Sequence, residues 1–526
     1  MYIEKTKKTM QRYSILWADD EIDLLKPHII FLEGKGYDVT PVHSGADALE
    51  KVNQDKFDLV FLDENMPGMS GLETLSQINS IKPALPVIMI TKSEEEQIME
   101  EAIGSKIADY LIKPLNPNQI LLSVKKILEN KKLVTERTNT GYQQDFRNIA
   151  MAYNERIGYQ EWTEIYKKLI YWELEIDNTE NKSMKDIIEM QKNEANSNFA
   201  KFIMEEYETW LNDANAEKPV LSHQLLKKKV FPLLKEKEKV FFILIDNLRF
   251  DQWKIIEPVI AAYYNVTHES TYFSILPTTT AYARNAIFSG MMPSEMEKKN
   301  PEWWVNDDEE EGKNNFEEQF LVQQLKKNGL DLKFSYNKIT NTAAGKNLSD
   351  SINNLLGNDL NVIVYNFVDM LSHARTDTQM IRELAPDESA YRSITHSWFV
   401  HSPLLEAIKK IVNKGFKLVI TTDHGTIRVK KPFKIVGDRS TNTNLRYKNG
   451  KNLSFEEKDV FVARKPERFF LPKNNVSSAY VFGTGDSFFA YPNNYNYYVN
   501  YYKDTFQHGG ISLEEMIIPF VILESK

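Results

Sequence analysis

Apolar positions along this chain change texture twice. From Tyr13 to about Lys131, short apolar runs (SILWA, DLVFLD, PVIMIT, ADYLI) alternate with amphipathic stretches, which predicts a βα repeat wound into a parallel sheet. From about Ile120 to Leu221 the spacing becomes helical, as in WTEIYKKLIYWELEI and FAKFIMEEYETWLND, where Lys and Glu separate apolar and aromatic residues. Short apolar runs return after Lys239 as VFFILID, VIVYNF and FKLVITT, bounded by polar residues as buried parallel strands are. The reading is α/β, helical, α/β, with regions at 1–131, 132–235 and 236–526.

From about Ile120 to Leu221 proline occurs only at Pro219 and glycine only at Gly141 and Gly158, so the stretch predicts a small bundle with an inter-helix turn at 178–183. Its Trp and Tyr stripe predicts a packing seam, and periodicity leaves open whether that seam lies within one chain or between two.

Composition narrows the chemistry. The 526 residues are too many for one core, and 42% hydrophobic with 26% charged residues is ordinary for a globular protein. With no cysteine there is no disulfide scaffold, no Cys nucleophile and no thiolate metal site, so any metal rests on His, Asp and Glu. No apolar run reaches membrane-span length, and the basic N-terminus lacks a signal peptide's apolar region, so a cytoplasmic location is expected. A net charge of −9 argues against bulk DNA binding.

In the first region, Asp19 and Asp20 follow one predicted strand and Asp63 ends another, Thr91 closes a third, and Lys113 follows the last. Ligands of doubly wound sheets gather at such carboxyl ends. Three converging carboxylates call for a divalent cation, and oxygen ligands suit Mg²⁺. The motifs ADDE, LDENMPGMSG, ITK and IKP resemble the receiver domain of two-component response regulators. That resemblance implies a flavodoxin-like fold, with Asp63 as phospho-acceptor and Mg²⁺ on Asp20, Asp63 and the Asn65 carbonyl. It further implies that Asp19 acts through water, that Thr91 and Lys113 hold the phosphoryl group, and that Tyr110 is the aromatic switch. A sensor histidine kinase is the implied donor.

The last region carries Asp246 after VFFILI, Asp369 and His373 in NFVDMLSH, Asp423 and His424 in VITTDHGT, and His508 in FQHGGISLEE. Three carboxylates and three imidazoles are enough for two Zn²⁺ with open positions. The segment PTTTAYARNAIFSG offers a hydroxyl nucleophile where a helical pattern begins, a place favoured by free amides and the helix dipole.

These pieces resemble the alkaline phosphatase superfamily, most closely its PglZ-type branch, through DNLRFDQW, PTTTAYARNAIFSG and HGGISLEEMIIPF. The resemblance implies an alkaline-phosphatase-like α/β domain in which Asp369, His373 and His508 hold one zinc and Asp246, Asp423 and His424 the other. The nucleophile is implied by the match of PTTTAYARNAIFSGMMP to the PTxTFPN…TG…P pattern of nucleotide pyrophosphatase/phosphodiesterases. It falls on Thr280, which would also reach the metal, with Thr279 and Thr278 as alternatives. The FPN of that pattern is absent, so contact to the phosphate falls to Arg284, Asn285 or Arg249. The absence of Cys and of a C/S-x-P-x-R motif argues against a sulfatase.

The receiver–helical–PglZ order resembles the response regulators linked to type IX secretion in Bacteroidetes. This implies an extracytoplasmic-function sigma factor and a secretion-motor component as partners, and a homodimer on phosphorylation. Two stretches are expected outside the sheet core, 295–358 and 426–480. The second is basic from Arg428 to Lys451, which suits either a cap that attracts an oligonucleotide or a solvated loop. The Tyr-rich run YPNNYNYYVNYY offers stacking faces or plain surface. Two functions stand: a phosphorylation-regulated phosphohydrolase favouring nucleotide diesters, or a regulatory module whose metal domain docks a partner with little catalysis.

Overall fold

The computed structural model describes residues 13–92, 107–153, 156–177, 182–305, 312–438, 441–456, 460–473 and 477–526. They fall into two compact units, Met1–Tyr142 and Gln143–Lys526.

The first unit is a five-stranded sheet of β1 (Ser14–Ala18), β2 (Asp38–Val42), β3 (Leu59–Asp63), β4 (Val87–Thr91) and β5 (Asp109–Ile112), ordered β2-β1-β3-β4-β5 with every pairing parallel. β3 is buried along its whole length because apolar side chains cover both faces of the sheet. This arrangement brings Asp19, Asp63, Thr91 and Lys113 to one edge. The helix Gly71–Ile81 starts beside that edge, capped reciprocally by Ser70 and Glu73. It approaches so closely that a Cβ on Gly71 would stand 2.5 Å from the Asp63 carbonyl oxygen, so the position requires glycine.

In the second unit, helices Tyr159–Asp177 and Lys182–Asn212 form the packing layer predicted from the aromatic stripe. The turn expected at 178–183 lies largely outside the described residues. Trp162 packs edge-on to Phe199 at 5.5 Å, and both Phe199 and Trp210 reach Phe273 of the effector sheet, at 6.2 and 5.7 Å. The seam is therefore satisfied within one chain.

The effector sheet has six strands: β6 (Lys239–Ile245), β7 (Tyr264–Phe273), β8 (Phe334–Ile339), β9 (Leu360–Tyr365), β10 (Phe416–Thr421) and β11 (Ile517–Ser525). Their order is β7-β11-β10-β6-β9-β8; β10, β6, β9 and β8 pair in parallel, and β11 and β7 run antiparallel at one edge. β8 corrects the expectation that 295–358 lies outside the sheet. As an edge strand it is only half-buried, so its sequence FSYNKI lacks the continuous apolar run that marks a central strand. The 426–480 stretch does stand outside, as short strands in small sheets of their own.

The basic stretch is not a free cationic surface. Arg428 pairs with Asp504 at 3.0 Å, Lys430 with Glu189, Lys431 with Asp486 at 3.1 Å, and Arg446 with Glu515 at 2.7 Å in full burial. Lys448 is also fully buried. Lys434 is exposed, and Arg439 lies outside the described residues. Arg428, Lys430, Arg446 and Lys448 are thus drawn into the fold, whereas Lys431 pairs at the surface. His401 is exposed, and its Nδ1 donates to the Ser397 carbonyl at 2.8 Å.

Candidate active site

Three strand ends and one loop assemble the effector site. Asp246 follows β6, Asp369 and His373 lie one turn apart on the helix Phe367–Asp377 after β9, Asp423 and His424 follow β10, and His508 precedes β11. The donor atoms form two groups, Asp369–His373–His508 and Asp246–Asp423–His424, each within 4.8 Å. The second group is buried, whereas His373 is 64% exposed at its side chain, so the site opens on the side of the first.

Hydrogen bonding prepares these atoms for a cation. Asp423 Oδ1 accepts from the amides of Asn247 at 3.3 Å and His424 at 3.1 Å and from the Thr422 hydroxyl at 3.3 Å. Its Oδ2 is buried without a hydrogen bond, with Arg284 Nη1 3.9 Å away. His424 Nδ1 lies 3.1 Å from the Gly425 carbonyl and His508 Nδ1 3.3 Å from the Thr278 carbonyl. A carbonyl only accepts, so each Nδ1 carries the hydrogen and each Nε2 presents a lone pair to the cluster. The two rings stack with centroids 4.3 Å apart.

The electrostatics match. Burial, then the neighbouring Asp246 carboxylate, raises Asp369 to about 6, and the same two causes push Asp423 well above the usual carboxylate range. Burial acts on Asp246 too, but Arg284 and then His424 overcome it and hold that carboxyl low. Burial, then His424 and His373, keeps His508 far below the ordinary imidazole value. Three carboxylates crowded beside the imidazoles of His424 and His508, both kept from protonation by burial, are a donor set that divalent cations such as zinc satisfy.

The three threonines part company. Thr280 Oγ1 lies 3.1 Å from His424 Nε2 and 3.3 Å from Asp246 Oδ1, facing the buried ligand group at the start of a helical segment. Thr278 Oγ1 donates to the Gly510 carbonyl at 2.9 Å and accepts from the Gly509 amide at 3.0 Å, which fixes it as a brace of the His508 loop. Thr279 Oγ1 is buried and without a partner.

The expected phosphate contacts are turned elsewhere. Arg284, fully buried, donates to Asp246 at 2.6 Å and to Glu317, so it orients a ligand carboxylate. Asn285 donates to the carbonyls of Ala281 and Lys313 at 2.9 and 2.8 Å. Arg249 is buried against Asp251 and Glu388, each at 2.6 Å. Sequence reasoning missed Asn247, which has a φ of 64° and whose side chain reaches Asp369 and Ser372 at 3.3 and 3.2 Å. Its place directly after Asp246 was the available signal. Glu317, deep in a polar stretch, gave none.

In the receiver, Lys113 Nζ bridges Asp19 and Asp63 at 2.9 Å each. Asp19, Asp20 and Asp63 bring oxygens within 4.8 Å of one another, a set suited to Mg²⁺. Burial raises the Asp63 carboxyl, and the hydrogen bond from Lys113 opposes it. Thr91 is buried, Asp20 and Asn65 are exposed, and Tyr110 is exposed on β5.

Three family profiles match the chain: a response regulator receiver domain over 15–125, a PorX response regulator linker domain over 132–211, and a BREX system PglZ alkaline phosphatase-like domain over 225–523. Among curated proteins it is similar to the transcriptional regulatory protein ZraR of Escherichia coli O157:H7, 35% identical over 130 residues, covering 25% of this chain and 30% of that one. It is also similar to ResD of Bacillus subtilis (strain 168), 34% identical over 114 residues, 22% and 47% of the two chains. The chain thus spans less than half the length of either relative. Among solved structures, a CheY-like receiver domain protein from Methanospirillum hungatei JF-1 is 27% identical, covering 23% of this chain and 96% of that chain with a TM-score of 0.22.

Proposed function

The chain belongs to the PglZ alkaline-phosphatase-like family, with the receiver and linker of a PorX-like response regulator ahead of that domain, and on this basis we propose a two-component regulator whose effector is a dizinc phosphodiesterase with Thr280 as nucleophile. The observation that carries the reading is Thr280 Oγ1, at 3.1 Å from His424 Nε2 and 3.3 Å from Asp246 Oδ1.

When bound, two zinc ions supply Lewis acidity, acidifying the nucleophile and stabilising the leaving oxygen. Thr280 Oγ gives its proton to solvent and forms a bond to phosphorus as the bond to the leaving alkoxide breaks in line, and that alkoxide takes a proton from solvent to leave as the alcohol. Water then attacks the phosphothreonine, phosphate monoester leaves, and the hydroxyl regains a proton. Asn247 and Arg284 keep the carboxylates in register, and the carbonyls of Gly425 and Thr278 keep both imidazoles in the ligating tautomer.

Charge favours a diester. Two dications against Asp246, Asp369 and Asp423 leave one positive charge, which one diester phosphate balances, and Arg428, Lys430, Lys431 and Arg446 are paired already. A nucleotide or oligonucleotide fits this class. Within the cytoplasm, phosphorylation of Asp63 with Mg²⁺ by a sensor histidine kinase supplies the input. The PorX-type linker supports a role in type IX secretion, with a sigma factor and a secretion-motor component as partners.

The test is Thr280→Val in the full chain. Hydrolysis of a chromogenic diester is expected to fall by several orders of magnitude while about two zinc ions per chain remain on elemental analysis. Full activity in Thr280→Val defeats the nucleophile, and absence of zinc from the parent defeats the metal site.

A further inference from the structure

The linker helices are tied to the effector by buried charges, and those ties land beside metal ligands. Arg392, 3% exposed on the helix Glu388–Val400, donates to Glu173 at 2.9 Å, to Asp177, and to Asp251 at 2.9 Å. Glu173 and Asp177 belong to the first linker helix, whereas Asp251 lies five residues past Asp246. Asp251 in turn holds the Arg249 guanidinium through two hydrogen bonds, 2.9 and 2.6 Å. The segment between, Asp246 to Arg249, contains the left-handed Asn247 that grips Asp423 and Asp369.

The second linker helix makes a parallel connection. Asn196, 3% exposed, donates to Glu514 at 3.0 Å and accepts from the Leu513 amide at 2.8 Å, six and five residues past His508. Lys192 joins the two connections, 2.7 Å from Glu173 and 3.6 Å from Glu514.

Well-packed apolar residues would hold two layers together at least as firmly, because burying ions costs several kcal/mol each. What ion pairs add is geometric selectivity, and here both connections reach ligand-bearing segments of the effector.

We propose that the linker is a working part of the metal site, with Arg392 as a positioning residue that seats the Asp246–Asp251 turn against the linker. A docked linker holds the two ligand groups in register. A linker shifted by its upstream domain loosens them, which gives the input a route to catalysis. This rests on the dizinc reading above and adds the source of its regulation.

The test measures zinc affinity of the full chain by competition with a chromophoric chelator, in the parent, Arg392→Met and Asp177→Asn. Asp177 is partly exposed on the linker, so its variant remains informative if Arg392→Met does not fold. Ile408→Ala, a core truncation outside the cluster, controls for general loss of stability. The expected result is zinc affinity about tenfold weaker in Arg392→Met and weaker in Asp177→Asn, unchanged in Ile408→Ala, and restored in part by Arg392→Lys. Parent-like affinity in both cluster variants overturns the inference while leaving the metal site standing. An equal loss in Ile408→Ala overturns it as well. A parent that binds no zinc overturns both readings.

Discussion

Three consecutive hydroxyls, chemically identical in sequence, have three different surroundings. Thr280 faces the ligand group, Thr278 is used on both its donor and acceptor sides, and Thr279 is buried without a partner. Removing a buried hydroxyl that serves two backbone groups leaves them unsatisfied, at a cost of about 1–3 kcal/mol, whereas replacing an unpartnered one by an isosteric methyl is close to neutral or stabilising. Thermal denaturation is therefore expected to show a lowered transition in Thr278→Val and an unchanged or raised one in Thr279→Val. The reverse order would mean that the hydroxyl assignments along this turn are wrong. Residue types and order along the chain pointed to the candidate ligands. They did not show that the donors of Arg284 are directed to Asp246 and Glu317, because neither that approach nor the burial of Glu317 leaves a trace in local sequence.

Among elements, legibility followed burial. Strands covered on both faces, such as β3, β6 and β9, were plain as apolar runs, and their carboxyl ends carry candidate ligands. β8 was missed because an edge strand with half-buried side chains writes no such run. The basic stretch was legible as charge, but its pairing with distant acids such as Asp486, Asp504 and Glu515 was not. Lys448 shows the consequence. Burial lowers its amine to about 7, although the Tyr491 ring 4.7 Å from Nζ favours the cation. Below about pH 7 the folded and unfolded chains both hold this proton, whereas between there and the ordinary lysine value only the unfolded chain does. The unfolded state then binds more protons, so this group makes stability rise with pH across that window. Chemical denaturation at several pH values is expected to show a shallower rise in Lys448→Met than in the parent. Superimposable slopes would place the amine in the charged form.

At the scale of the whole molecule, the switch expected from the receiver resemblance has two ends. Asp63 and Lys113 sit at one edge, Thr91 is buried at the end of the adjacent strand, and Tyr110 stands exposed on β5, the last strand of the sheet among the described residues. A phosphoryl group on Asp63 adds charge beside Lys113 and acceptors within reach of Thr91, so it favours whichever surface state draws Thr91 inward and lets Tyr110 follow. A ligand shifts such an equilibrium only by its differential affinity for the two states, and a second receiver docking on the altered face supplies one. Phosphorylation is thus expected to move the chain from monomer to dimer, with acetyl phosphate and Mg²⁺ as donor and no response in Asp63→Ala. Light scattering over a range of concentrations, with and without beryllofluoride, measures the mass directly. A mass that does not change with beryllofluoride removes the dimer from the scheme, and so does a Thr91→Ala, Tyr110→Ala variant that dimerises as well as the parent. Either result would leave untouched the contacts of Arg392 with Glu173, Asp177 and Asp251, which lie within the second unit.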